Sequence, residues 1–157
     1  MHERSFKPKS HFMEVIPLGL EHKSACLELN ELALNGLWGE KQWEQELIDP
    51  RRLCIGILKR SKLLALACGW LVLDELQLTA IAVHPEHRRI GLARLVLSAL
   101  LEKAQLAGSK RATLEVADTN LAAKSLYKSC GFITSGYRHS YYKDGSDALI
   151  QWRHLNE

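Results

Sequence analysis

The chain has 157 residues, a length that suits one domain, and is 46% hydrophobic and 25% charged. Its 21 basic and 18 acidic side chains leave a formal charge of +3, too small an excess to argue for direct binding of nucleic acid. The four cysteines contain no C-x-x-C pair, no H-E-x-x-H pattern occurs, and no apolar run nears the roughly 20 residues of a membrane span, which argues against a zinc knuckle, a zincin site and a membrane protein.

Residues 1–11 are basic and polar without an apolar stretch, so they read as a flexible tail rather than a secretory signal, and 12–157 as a single domain. Phe12 to Ile16 suits a short first strand. Leu18 to Leu34 carries Ala25, Leu29 and Leu32 at helical spacing and ends at Asn35-Gly36. Glu40 to Ile48 reads as a second helix, closed by Asp49-Pro50. Arg52 to Lys59 and Lys62 to Leu73 suit a hairpin around Arg60-Ser61, and Leu76 to Val83 a third strand broken by His84-Pro85. Leu92 to Leu106 has a strong apolar face of Leu92, Leu95, Val96, Ala99 and Leu100. Arg111 to Val116 is a strand, Asn120 to Ser129 a helix, and Phe132 to Tyr142 and Ala148 to His154 are two closing strands. An antiparallel front followed by β-α-β-α-β gives an α/β fold with a mixed central sheet of about seven strands and about four helices. Cys26, Cys54, Cys68 and Cys130 each sit among apolar neighbours and read as reduced, buried thiols of a cytoplasmic protein.

The most informative stretch runs from Ile81 to Arg94. A strand ends, a loop turns, and a helix begins near Gly91, with the pattern Arg88-x-x-Gly91-x-Ala93. Small residues at 91 and 93 let backbone N–H groups come close to a ligand, and a helix N-terminus adds unpaired donors and a positive dipole end. Arg88, Arg89 and Arg94 add formal charge. The turn therefore suits a pyrophosphate, or is an ordinary strand-to-helix turn with solvated arginines. It lacks both G-x-G-x-x-G and G-K-[ST], so it is neither a dinucleotide fingerprint nor a P-loop.

This turn, following a strand that ends Ile81-Ala-Val83-His-Pro85, resembles the acetyl-CoA motif of the GNAT acetyltransferases. Leu114-Glu-Val-Ala-Asp-Thr-Asn120 through Tyr127 to Gly131-Phe132 is similar to that family's second signature. Arg138-x-x-Tyr141-Tyr142-x-Asp144-Gly145-x-Asp147-Ala148 resembles its RimI branch, which acetylates the N-terminal alanine of a ribosomal protein. The resemblance implies the GNAT fold, acetyl-CoA as co-substrate without a metal, and a protein or peptide N-terminus as acceptor, with no membrane partner. It also implies that Ile81, Ala82, Val83, Arg88, Arg89, Ile90, Gly91, Leu92, Ala93, Arg94 and Asn120 hold the cofactor. The match loosens at Asn35-Gly36-Leu37-Trp38, the counterpart of the family's substrate loop. A small amine or an aminoacyl-tRNA is therefore an alternative acceptor, and a non-catalytic acyl-CoA sensor an alternative function.

Acetyl transfer to an amine needs a base for the ammonium, a donor for the developing oxyanion and an acid for the departing thiolate. Glu115 lies inside an apolar strand, where partial desolvation would favour a base, or it simply faces water. The resemblance assigns it as the proton acceptor and assigns Tyr127 as the acid; on its own pattern Tyr127 is equally a core residue. Asn120 suits an N-cap as well as a pantetheine contact. The oxyanion donor is expected from a backbone N–H near Ala82 or Val83, where the strand splays from its parallel neighbour. Trp38, Trp43, Tyr141 and Tyr142 are the aromatic candidates for an acceptor groove, Trp38 and Tyr141 the preferred pair. Cys130, in apolar surroundings, is expected to be unreactive.

Overall fold

A computed structural model describes residues 4–6 and 13–155. Hydrophobic alternation and helical spacing produce the elements in this order: β1 (Arg4–Phe6), β2 (Met13–Pro17), α1 (Lys23–Ala33), α2 (Glu40–Ile48), β3 (Arg52–Lys59), β4 (Lys62–Val72), β5 (Glu75–Val83), α3 (Leu92–Leu106), β6 (Arg111–Ala117), α4 (Leu121–Ser129), β7 (Ile133–Arg138) and β8 (Ala148–His154). Single 3₁₀ turns at Leu20–His22 and Pro85–His87 lead into α1 and the turn before α3. The sheet runs β1-β2-β3-β4-β5-β6-β8-β7, and β5–β6 is its parallel pair.

The mixed sheet and the four α-helices match expectation, and among the described residues the strands number eight. Arg4–Phe6, placed by sequence in a flexible tail, pairs antiparallel with Met13–Val15, satisfying the edge of β2. The rest of residues 1–12 lies outside the described residues. Helix α1 starts at Lys23 rather than Leu18, and β7 stops at Arg138 rather than Tyr142.

Helices flank the sheet on both faces. Leu92, Val96, Leu97, Leu100, Leu101 and Ala104 of α3 pack with Ile55, Ala65, Leu76, Leu114 and Val116. On the other face Cys26 and Leu29 of α1 and Trp43 and Leu47 of α2 pack with Cys54, Leu66, Cys68, Ala80 and Ala82. The stripe that α1 buries is Cys26, Leu29 and Asn30; Leu32, expected on it, is 46% exposed.

Cys54 and Cys68 face one another across β3–β4 with Sγ atoms 3.0 Å apart. Burial pushes the Cys26 thiol up to about 12, and the bond to Cys54 together with burial raises Cys68 well above the ordinary thiol range, so both stay protonated and unreactive. The expectation of four buried thiols holds for three; Cys130 is half-buried. Among the described residues, no helix is long and apolar enough to cross a membrane.

Candidate active site

The site begins with a defect in β5. Its parallel pairing with β6 covers Glu75↔Arg111, Leu76↔Ala112 and Gln77↔Thr113 and then stops. On the other side, β4 pairs Cys68↔Ala80 but Gly69↔Leu78, leaving Thr79 as one extra residue. Such a bulge bends its strand and raises its twist, so β5 turns away from β6. Gly69, at the step in register, gives its space to Leu76, whose Cδ1 a Cβ there would meet at 2.5 Å. The two strands part and leave a cleft of about 1010 Å³ between Leu78–Val83 and Leu114–Ala117.

Backbone alternation decides which groups face this cleft. His84 N–H donates to Leu64 O of β4 at 2.7 Å. With the observed register, the N–H groups of Ala82 and Ala80 also point to β4, and those of Val83 and Ile81 point into the gap. The expectation of Ala82 or Val83 as oxyanion donor therefore narrows to Val83, since Ala82 is committed to the ladder.

The turn after β5 is held by its own side chains. His84 Nδ1 accepts from Glu86 N–H at 3.1 Å, and Arg88 Nε donates to Val83 O at 3.3 Å. Gly91 sits at φ +87° as the residue before α3, with no side chain capping the helix. The first N–H groups of the helix, at Leu92, Ala93 and Arg94, are therefore presented outward. A Cβ at Gly91 would meet nothing within 4 Å, so the space beside this residue is open. Arg88, Arg89, Gly91, Leu92, Ala93 and Arg94 all line the cleft. Arg94 also donates to Ser129 O at 3.1 Å, tying α3 to the end of α4. Ile90 is not on the wall and is 59% exposed.

The opposite wall comes from β6 and α4. Asn120 Oδ1 caps α4 by accepting from Ala123 N–H at 3.1 Å, and the residue lines the cleft. Tyr127 is 6% exposed, packs edge-on against Phe132 and reaches the same cleft. Its phenol makes no hydrogen bond to another described residue, and burial pushes it up to about 12, so it carries a proton at neutral pH. Glu115 is on the wall beside it. Its side chain is 33% exposed and receives Arg138 Nε at 2.5 Å. It is thus a charge-paired carboxylate on the cleft wall, intermediate between the partly desolvated group and the group facing water that the strand pattern allows.

Leu34, Leu37 and Tyr142 also line the cleft. Trp38 instead leans on the fully buried Trp43, ring centroids 4.9 Å apart, and Tyr141 is 52% exposed with Arg138 Cζ 5.8 Å from its ring centre. Neither lines the cleft. The loop that carries Leu34 and Leu37 is clamped by buried Asn30, whose Nδ2 donates to Trp38 O at 2.9 Å and whose Oδ1 accepts from Trp38 N–H at 3.3 Å. Asn30 was missed in sequence because an Asn in mid-helix reads as a solvated residue; its only signal is its place on the buried stripe with Cys26 and Leu29.

A sheet parted at a bulge, beside a helix N-terminus that no side chain caps, frames this cleft. Residues 24–132 match the Acetyltransferase (GNAT) family, and the chain belongs to that family. It is an acetyltransferase, and acetyl-CoA is the acetyl donor of the family. The ribosomal protein bS18-alanine N-acetyltransferase of Escherichia coli (strain K12) is 37% identical over 116 residues, covering 72% of this chain and 78% of that protein. A Bacillus subtilis (strain 168) protein that carries the same name provisionally is 32% identical over 140 residues, covering 88% and 93%. The crystal structure of the Escherichia coli enzyme superposes with a TM-score of 0.84 at 31% identity, over 92% of this chain and 95% of that one.

Proposed function

We propose that this chain acetylates the N-terminal α-amine of a protein, a ribosomal protein being the favoured acceptor. The observation that carries the reading is that Glu115 and Tyr127, from β6 and α4, meet on one cleft whose far wall is the free edge of β5. Support for the acceptor comes from the relatives named for acetylating the alanine of ribosomal protein bS18.

The cleft fits acetyl-CoA. It has an open, capless helix N-terminus with three arginines for the pyrophosphate, and free amides at Ile81 and Val83 for the pantetheine arm. Asn120, with Oδ1 used by the cap, has its amide N–H groups left for the same arm. Bound there, acetyl-CoA supplies an activated acetyl group on sulfur. Glu115 Oε accepts the proton that the acceptor ammonium must give up. Val83 N–H is the donor aimed at developing negative charge. Tyr127 Oη holds a proton, in an apolar wall, for a leaving group at its end of the cleft. Leu34, Leu37 and Tyr142 form the rim against which the acceptor's first residues lie.

Peptides starting with alanine, a panel of small amines and an aminoacyl-tRNA, each assayed for CoA release, test this reading. Turnover on the alanine peptide is expected. Turnover confined to small amines or to the aminoacyl-tRNA overturns the acceptor assignment, and acetyl-CoA binding without turnover on anything overturns the catalytic one.

A further inference from the structure

Glu115 sits on the face of β6 that the main core does not cover. Leu114 and Val116 point into that core, and Glu115 points away. Across the sheet the register runs Glu115↔Ile150↔Gly136 and, one step along, Ala117↔Ala148↔Arg138. Residues opposite one another, and residues two apart, share a face. Arg138, the last residue of β7, therefore lies on the same face as Glu115, with the whole width of β8 between them. Of the residues on this face, Ala148, Ala117 and Gly136 offer at most a methyl group, and Ile150, opposite Glu115, is the bulky neighbour. The guanidinium crosses β8 on this face to reach Glu115 Oε2. Tyr141 borders the guanidinium on its outer side.

An ion pair this exposed, with side chains 54% and 33% accessible, contributes little to folding stability. Its reach across the whole of β8 to a residue that lines the cleft points to another role. We infer that Arg138 is a positioning residue: it fixes the Glu115 carboxylate at the cleft mouth, with one oxygen engaged and the other turned to the incoming amine. The acceptor then meets a base of fixed orientation instead of a free rotor. This inference rests on Glu115 being the base.

A double-mutant cycle on the full chain tests it, with kcat, the KM for acetyl-CoA and the melting temperature measured for each variant. Arg138→Met is expected to lower kcat about tenfold or more, because misplacing a catalytic group by about an ångström costs that much, with the KM for acetyl-CoA and the melting temperature unchanged. Arg138→Lys, which keeps the charge but not the fork, is expected to recover part of the loss. In a Glu115→Gln background, Arg138→Met is expected to cost nothing further, because the two residues act as one unit. An equal loss in both backgrounds, or no loss in either, overturns the positioning role. If Glu115→Gln by itself leaves the rate intact, the base assignment falls, and that result is read separately from the Arg138 variants.

Discussion

Tyr127 keeps its proton far past neutrality. Its folded value of about 12, against an ordinary 10.0, comes first from burial. The sign follows directly: folded and unfolded forms are both neutral below pH 10, so the full stability is present there. Between pH 10 and 12 the unfolded phenol ionises first and stability falls. Two units at 1.36 kcal/mol each put the loss at about 2–3 kcal/mol. Urea midpoints at pH 9 and pH 12 are expected to converge more closely in Tyr127→Phe than in the parent, and equal slopes in the two would remove the burial argument. The same variant is expected to lose about 100-fold in kcat, the scale of one general acid. Glu115→Gln is expected to lower kcat on the alanine peptide by a similar factor while leaving acetyl-CoA affinity, measured by calorimetry, almost unchanged. At this scale the resemblance carried by their motif brought Glu115, Asn120 and Tyr127 to one site, and all three line the cleft. The sequence was not readable where a one-residue choice decides the side of the chain. Tyr142 lines the cleft and Tyr141 does not, and Leu37 does where Trp38 does not. Aromatic content alone carries no such direction.

At the level of elements, Gly91 and the α2–β3 junction carry opposite kinds of demand. Gly91 at φ +87° has ample space, so a side chain there is penalised by backbone conformation and by obstruction of a ligand, not by collision with the protein. Gly91→Val is expected to cost at least 1–2 kcal/mol of stability, about the penalty for a side chain in the left-handed region, and to weaken acetyl-CoA binding strongly; retained affinity in calorimetry would place the phosphates elsewhere. Glu46 of α2 is 1% exposed and is held by Arg52 and by Gln42 Nε2 at 2.8 Å. Arg52 in turn lies over Trp70, 5.0 Å from its ring centre. Arg52→Met strands a buried carboxylate and is expected to destabilise the chain by about 3–5 kcal/mol in urea unfolding. The strands and helices themselves were legible from periodicity. The Thr79 bulge was not, because Leu76 to Val83 reads as one uninterrupted strand. The extra residue exists only relative to β4, where the register steps between Cys68 and Gly69.

Across the whole molecule, the layered arrangement follows from two apolar surfaces, one on each face of the sheet. It was implied by the alternation of strands and helices. The β1 strand was not, since three residues in a basic, polar stretch carry no periodic signal, and their pairing depends on the edge that β2 offers. The open side of β5 has a consequence for how the molecule breathes. With β6 gone beyond Gln77, the inward-facing amides of Ile81 and Val83 have solvent where a neighbouring strand would be. Their deuterium uptake is expected to be fast in the empty protein, against slow uptake at their chain neighbours Ala80 and Ala82. Saturating acetyl-CoA is expected to slow Ile81 and Val83 selectively. An alternating fast–slow pattern, erased by the donor, would mark the co-substrate as the piece that finishes the sheet.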